Sequence, residues 1–218
     1  MTPPLMQLMR LILLATLTVA APLTLNAQDK ADRADAAAAD AEAGRLAFRQ
    51  CALCHGQWGQ GILGGKYPRV AGLPEYYLLK VLDDYRGGER NYEAMTVVGG
   101  VRNMSDEDLA NLAAYISSVD LDEKAPLDVP TLAGDVDAGS EFYDSDCKTC
   151  HGKNGEGKAK KKSPALRGQY GEYLARQIGL FQNKKREHGG DPDDDTFADY
   201  SQEDINNILA YITTLDDK

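Results

Sequence analysis

The stretch Cys51-Ala52-Leu53-Cys54-His55 recurs as Cys147-Lys148-Thr149-Cys150-His151, 96 residues further on. Two thiols three residues apart, followed at once by a histidine, form the attachment signature of a c-type haem. Each thiol can make a thioether to one vinyl group of the same porphyrin, and the adjacent imidazole then meets the iron from one side. The two copies use all four cysteines and two of the three histidines of the chain. A zinc ribbon would set its cysteine pairs about 15–20 residues apart. Two disulfides, admissible in an oxidising compartment, would leave the two histidines without a role. The reading is two covalently attached c-type haems, with Cys51, Cys54, Cys147 and Cys150 as thioether donors and His55 and His151 as iron ligands.

Outward from these motifs the chain repeats itself. Residue n sits beside residue n + 96 without a gap from Cys51 through Val119. Gly56, Gly59 and Gly61 fall on Gly152, Gly155 and Gly157, Pro68 and Gly72 on Pro164 and Gly168, and Arg90 on Arg186. Upstream, Asp40 to Gly44 matches Asp135 to Gly139, with one extra residue before Cys147. The period is far above the 20–50 residues of solenoid arrays, so this is a duplicated domain.

Each copy carries the same helical plan. A short helix, about Ala41–Gln50 and about Val136–Asp144, leads into the motif, and its Gly44 or Gly139 permits close approach of another helix. Tyr77, Leu78, Val81, Leu82 and Tyr85 make a helical stripe that ends at Gly87-Gly88, matched by Tyr173, Leu174, Ile178 and Phe181. The last helix opens on a serine cap with a carboxylate three residues on, Ser105 with Asp108 and Ser201 with Asp204. Its apolar face holds Leu109, Leu112 and Ile116, or Ile205, Leu209 and Ile212, and its Tyr115 or Tyr211 is expected against the first helix of the same domain. No strand pattern competes. The fold class is all-α, in two small helical bundles over 41–120 and 135–218, joined by a linker over 121–134 with Pro126 and Pro130. Bundles this short bury little surface by themselves, so a covalent haem must supply much of each core.

The N-terminus reads as an export signal over 1–27: Arg10 precedes the apolar run Leu11–Ala21, and small or polar residues lead to Ala27. Pro22 closes that run short of the about 20 residues a membrane span needs; an uncleaved, weakly held anchor is the alternative. Residues 28–40, rich in alanine and aspartate, read as a flexible tether. The expected address is the periplasm. A net charge of −10, one more negative without Arg10, speaks against nucleic acid and for redox partners with basic docking surfaces. The basic run Lys158 to Lys162 reads as a solvated loop, or as a dock for an acidic partner.

These residues resemble class I cytochromes c, in particular the two-domain di-haem cytochrome c4 group. The resemblance rests on the two motifs, on Pro68 with Gly72 and Pro164 with Gly168, on Tyr85 through Arg90 continuing to Met95, and on the capped last helix. It implies two tandem class I cytochrome c domains with haem edges near one another, and a carrier delivering electrons to a terminal oxidase or reductase. It also implies that the carbonyl of Pro68 orients His55 and that of Pro164 orients His151.

The sixth ligand separates the copies. Met95 is the candidate for the first haem; Met104, directly before the Ser105 cap, reads as packing. The second copy has no methionine, and Asp191 stands at the position of Met95. His188, the third histidine, is the candidate ligand there; a vacant, water-bound or tyrosine-bound iron is the alternative. A methionine ligand raises the potential, so the first haem is expected to be the easier to reduce. Trp58 is expected over the first haem edge. No nucleophile–base pair, phosphate loop or paired-acid site is present. The expected function is single-electron transfer, as a free carrier or as the cytochrome subunit of a dehydrogenase complex. The alternative is an enzyme working peroxide, nitrogen oxides or sulfur oxyanions at an open second haem.

Overall fold

The computed structural model describes residues 39–62 and 64–215. The expected signal over 1–27, and all but residues 39 and 40 of the expected tether over 28–40, lie outside them. Helix α1 spans Ala41–His55 and starts where the Asp40 carboxylate accepts the N–H groups of Glu42 and Ala43, at 2.8 and 3.1 Å. It runs past Gln50, through the whole first motif. Ala52 and Leu53 are good helix formers, and the chain first turns left-handed at Gly56, φ 81°. Next come α2, Glu75–Gly87, and α3, Asp106–Ser118. Between them lie a π turn, Ala94–Val98, and a 3₁₀ turn, Val101–Asn103.

The second copy repeats the order of the α-helices, but its short turns differ. Helix α5, Val136–Phe142, stops two residues short of the expected Asp144 and passes into a π turn, Tyr143–Cys147, then into α6, Lys148–His151. The extra residue before Cys147 is absorbed there, since a π turn holds one more residue than an α turn. The remaining helices are α7, Gly171–Gln182, and α8, Gln202–Ile212. Among the described residues the only β pairing is two isolated bridges, Lys158 with Ser163 and His188 with Asp191.

Each bundle is built on a crossing of its first and last helices. At Gly44 a Cβ would stand 1.9 Å from the carbonyl oxygen of Asn111, and at Gly139 1.9 Å from that of Asn207. The same asparagines accept the main-chain N–H of Asp40 and Asp135 through their side chains, at 2.7 and 2.8 Å. Beside the crossings the expected aromatic contacts form, Tyr115 on Phe48 at 5.5 Å and Tyr211 on Tyr143 at 5.3 Å between ring centroids. Both serine caps close as capping boxes. The first core gathers Phe48, Leu78, Leu82, Leu109, Leu112 and Ile116; the second gathers Tyr143, Leu174, Ile178, Ile205, Leu209 and Ile212.

The linker carries structure of its own. Asp120 caps a one-turn helix α4, Leu121–Lys124, with Leu121 buried, and Leu132 N–H donates to Thr213 Oγ1 at 3.0 Å. The two bundles also bond directly. Arg69 and Gln169 exchange two hydrogen bonds, 3.1 and 2.8 Å, and Tyr170 donates to the Gln60 carbonyl at 3.1 Å. Arg90 donates to Tyr173 Oη and to Gln177 Oε1, at 3.0 and 3.1 Å, and Arg186 meets the same Gln177 oxygen at 2.6 Å. Each of these arginines lies over the aromatic ring five residues before it, Tyr85 or Phe181.

Candidate haem sites

At the end of α1 the His55 ring is buried, and its Nδ1 lies 2.9 Å from the Pro68 carbonyl oxygen. A carbonyl only accepts, so Nδ1 carries the proton and Nε2 keeps a free lone pair. His151 repeats this with the Pro164 carbonyl at 3.0 Å. Burial pushes both imidazoles below their ordinary value, more than the carbonyl bonds raise them, and His188 adds to the effect at His151. Each ring is thus held neutral, the form that binds a metal. Gly61 N–H and Gly157 N–H, each 2.7 Å from the carbonyl of the preceding histidine, fold the following loop back so that the proline can reach the ring.

None of the four cysteines is paired in a disulfide, so all four sulfurs are available for thioether bonds. Before a haem is attached, burial pushes the Cys51 thiol up to about 11 and the Cys147 thiol up to about 12. Among the described residues no cluster of three or more histidine, cysteine or acidic side chains could hold a bare metal ion. What the motifs offer is one neutral imidazole beside a pair of thiols, a donor set that fits a porphyrin-bound iron and not a lone cation.

Met95, the candidate from the first copy, sits in the π turn Ala94–Val98, half-buried against the first core. Such turns recur at functional positions. Met104 packs on the same core, and its carbonyl accepts from Arg86 at 3.2 Å. Trp58 lines a cleft with Tyr115, Val119 and Glu123, and the Lys124 ammonium lies 5.9 Å from its ring centroid. Trp58 thus meets the end of α3 and α4.

The second site is more fully built. The His188 ring stands 6.1 Å from the His151 ring, centroid to centroid, with the planes 21° apart. A metal–imidazole bond is about 2 Å, which places each centroid about 3 Å from the metal. Two rings on opposite faces of one iron are then about 6 Å apart, so the observed separation fits a shared iron. Phe181 from α7 and Phe197 flank His188, each at 5.0 Å. Its Nδ1 lies 3.2 Å from Asp194 Oδ2. Burial raises the Asp194 carboxyl, but bonds from Thr196 and the neighbouring His188 outweigh it and hold the group below the usual carboxylate range. These residues line a cleft of about 330 Å3. Asp191, the repeat counterpart of Met95, is exposed and accepts from Asp193 N–H.

Sequence reasoning named His188 but missed its surroundings. Phe181 reads there only as part of a helical stripe, and Asp194 and Phe197 carry no reading. The offset of 96 carried a signal: it sets His188 against Tyr92 and Asp194 against Val98, two side chains that are 54% and 66% exposed.

The family model for cytochrome c matches residues 41–120 and again 136–216. Cytochrome c4 of Azotobacter vinelandii is 34% identical over 82% of this chain and 90% of its own length. The thiosulfate dehydrogenase electron acceptor of Thiomonas intermedia is 35% identical over 80% of this chain and 78% of its own. The crystal structure of reduced recombinant cytochrome c4 from Pseudomonas stutzeri superposes with a TM-score of 0.67, at 30% identity, over 82% of this chain and all of that one. With two tandem all-helical domains, two covalent c-type haems and a role in electron transfer, the chain belongs to the cytochrome c family and is similar to its di-haem cytochrome c4 members.

Proposed function

We propose that this chain works in the periplasm, exported by residues 1–27, as a di-haem carrier between a dehydrogenase or quinol-oxidising donor and a terminal oxidase or reductase. Cys51 and Cys54 hold the first haem, with His55 and Met95 on its iron; Cys147 and Cys150 hold the second, with His151 and His188. Pro68 and Pro164 orient the two proximal rings. The haem irons supply the one-electron chemistry. The protein's part is to fix the ligands and keep the two groups in one body. The observation that carries this reading is the 6.1 Å between the His151 and His188 rings. A second imidazole in that place fills the position an enzyme would need open.

Unequal ligands give the carrier a direction. Methionine on the first iron raises its potential, and two imidazoles leave the second lower, so electrons enter through the C-terminal domain and rest on the N-terminal one. The likeness to a thiosulfate dehydrogenase electron acceptor favours a sulfur-oxidising dehydrogenase as donor. The acidic chain fits partners that dock through basic surfaces.

Low-temperature EPR of the fully ferric holoprotein tests the ligand sets. Two low-spin signals, one of histidine–methionine and one of bis-histidine type, are expected. A high-spin signal from half the iron would refute the bis-histidine site and return the enzyme reading. Potentials that are equal, or reversed between the assigned haems, would refute the direction.

A further inference from the structure

Resting on that ligation of His188, we propose that Asp194 is a positioning residue for the second haem: it accepts the His188 Nδ1–H, turns Nε2 toward His151 and holds the reduction potential of that haem down. The carboxylate is itself fixed. Its Oδ1 accepts the Thr196 N–H at 3.0 Å, and the Lys184 ammonium ties down the main-chain carbonyl of the same residue. The two side chains are only 25% and 23% exposed, so their contact is partly shielded from water. Among the described residues His188 Nδ1 has no other hydrogen-bond partner. Phe181 and Phe197 hold the ring on two sides, which leaves rotation about its own axis for the carboxylate to settle.

A carboxylate on the far nitrogen makes an imidazole a stronger electron donor, and its charge stabilises the ferric over the ferrous state. The first copy has nothing equivalent, since Tyr92 and Val98 occupy the two matching positions. Asp194 therefore widens a difference between the haems that the change of ligand alone begins.

The test uses the full-length holoprotein with Asp194→Ala, Asp194→Asn and His188→Ala, followed by spectropotentiometric titration and low-temperature EPR. In Asp194→Ala the reduced-to-oxidised ratio of the second haem, read at fixed potential, should rise about tenfold, equivalent to about 59 mV for one electron. The first haem should not move. Asp194→Asn can still accept the N–H but carries no charge; it should shift the second haem the same way by less and keep the bis-histidine signal. His188→Ala should turn the second haem high-spin. If it does, and both Asp194 variants keep wild-type potentials and EPR, Asp194 has no positioning role. A shift shared equally by both haems would also overturn the proposal. If His188→Ala leaves the second haem low-spin and unchanged, the ligation reading fails first and the role of Asp194 falls with it.

Discussion

Substituting Gly44 with alanine adds one methyl group where the structure has no space for it. The added carbon would stand 1.9 Å from the Asn111 carbonyl oxygen and 2.9 Å from Tyr115 Cβ, whereas ordinary contact begins at 3.4 Å. Helices α1 and α3 must then part locally by about 1.5 Å, and the obstacle is backbone, which cannot turn aside. Overpacking of this kind costs about 3 kcal/mol, offset by about 1 kcal/mol because alanine is the better helix former. The net loss is about 2 kcal/mol, a fall in Tm of roughly 4–8 °C when the two bundles melt as one unit. Gly179 in α7 is the matched control. A Cβ there meets nothing within 4 Å, and Asp83, its repeat counterpart, is largely exposed. Gly179→Ala should stabilise by about 0.5–1 kcal/mol. Thermal melts of the two holoprotein variants, followed by far-UV circular dichroism, compare one chemical change with opposite expected signs. If Gly44→Ala melts at or above wild type, or Gly179→Ala falls as far as Gly44→Ala, the account of the crossing is refuted. The outcome bears on function because α1 carries the whole first motif, Cys51 to His55.

Other substitutions probe the remaining supports. Ser105→Ala removes the cap of α3 and should cost about 1 kcal/mol at neutral pH. The Ser105 hydroxyl and N–H hold the Asp108 carboxyl below its usual range. That contribution is complete above the unfolded carboxyl value, about 4, and is lost as pH falls through the lower folded one. The Tm gap between Ser105→Ala and wild type should therefore narrow as pH drops from 5 to about 2.5, and a gap that widens would contradict the capping box. Arg90→Ala takes away both bonds to the C-terminal bundle, worth about 1.5–3 kcal/mol each for a charged donor. Calorimetry should then resolve two melting transitions where one is expected of wild type, and one unchanged transition would mean that bonds such as those of Arg69 and Tyr170 couple the bundles without Arg90. Replacing Cys147 and Cys150 with alanine strips the second haem, and near-UV circular dichroism should lose the signal of that bundle while the first keeps its own.

Much of this protein is legible in its sequence, because the signals are local. A thiol–thiol–imidazole spacing, a serine three residues before a carboxylate and apolar residues on one helical face are satisfied within a turn or two. The all-helical class, the two haems, the capped last helices and the roles of Gly44 and Gly139 could therefore be read directly, and the repeat doubled each signal. The extra residue before Cys147 could be counted, but a count does not say whether it makes a loop or a π turn. Packing of Tyr143 into the core decided that, by demanding an unbroken helix up to the motif. The passage of α1 through the first motif, and the place of Trp58 beside α4, likewise follow from neighbours distant along the chain.

The second site shows the division most clearly. Residue type alone singled out His188, as the one histidine left over. Its distance from His151, its two phenylalanine walls and its carboxylate depend on a loop that turns left-handed at Gly189 and Gly190, φ 69° and 77°, and is held between α7 and Phe197. Sequence fixes which groups are available, through chemistry carried by each residue. Where two such groups face each other is set by the packing of segments far apart in the chain, and only the tertiary structure holds that information.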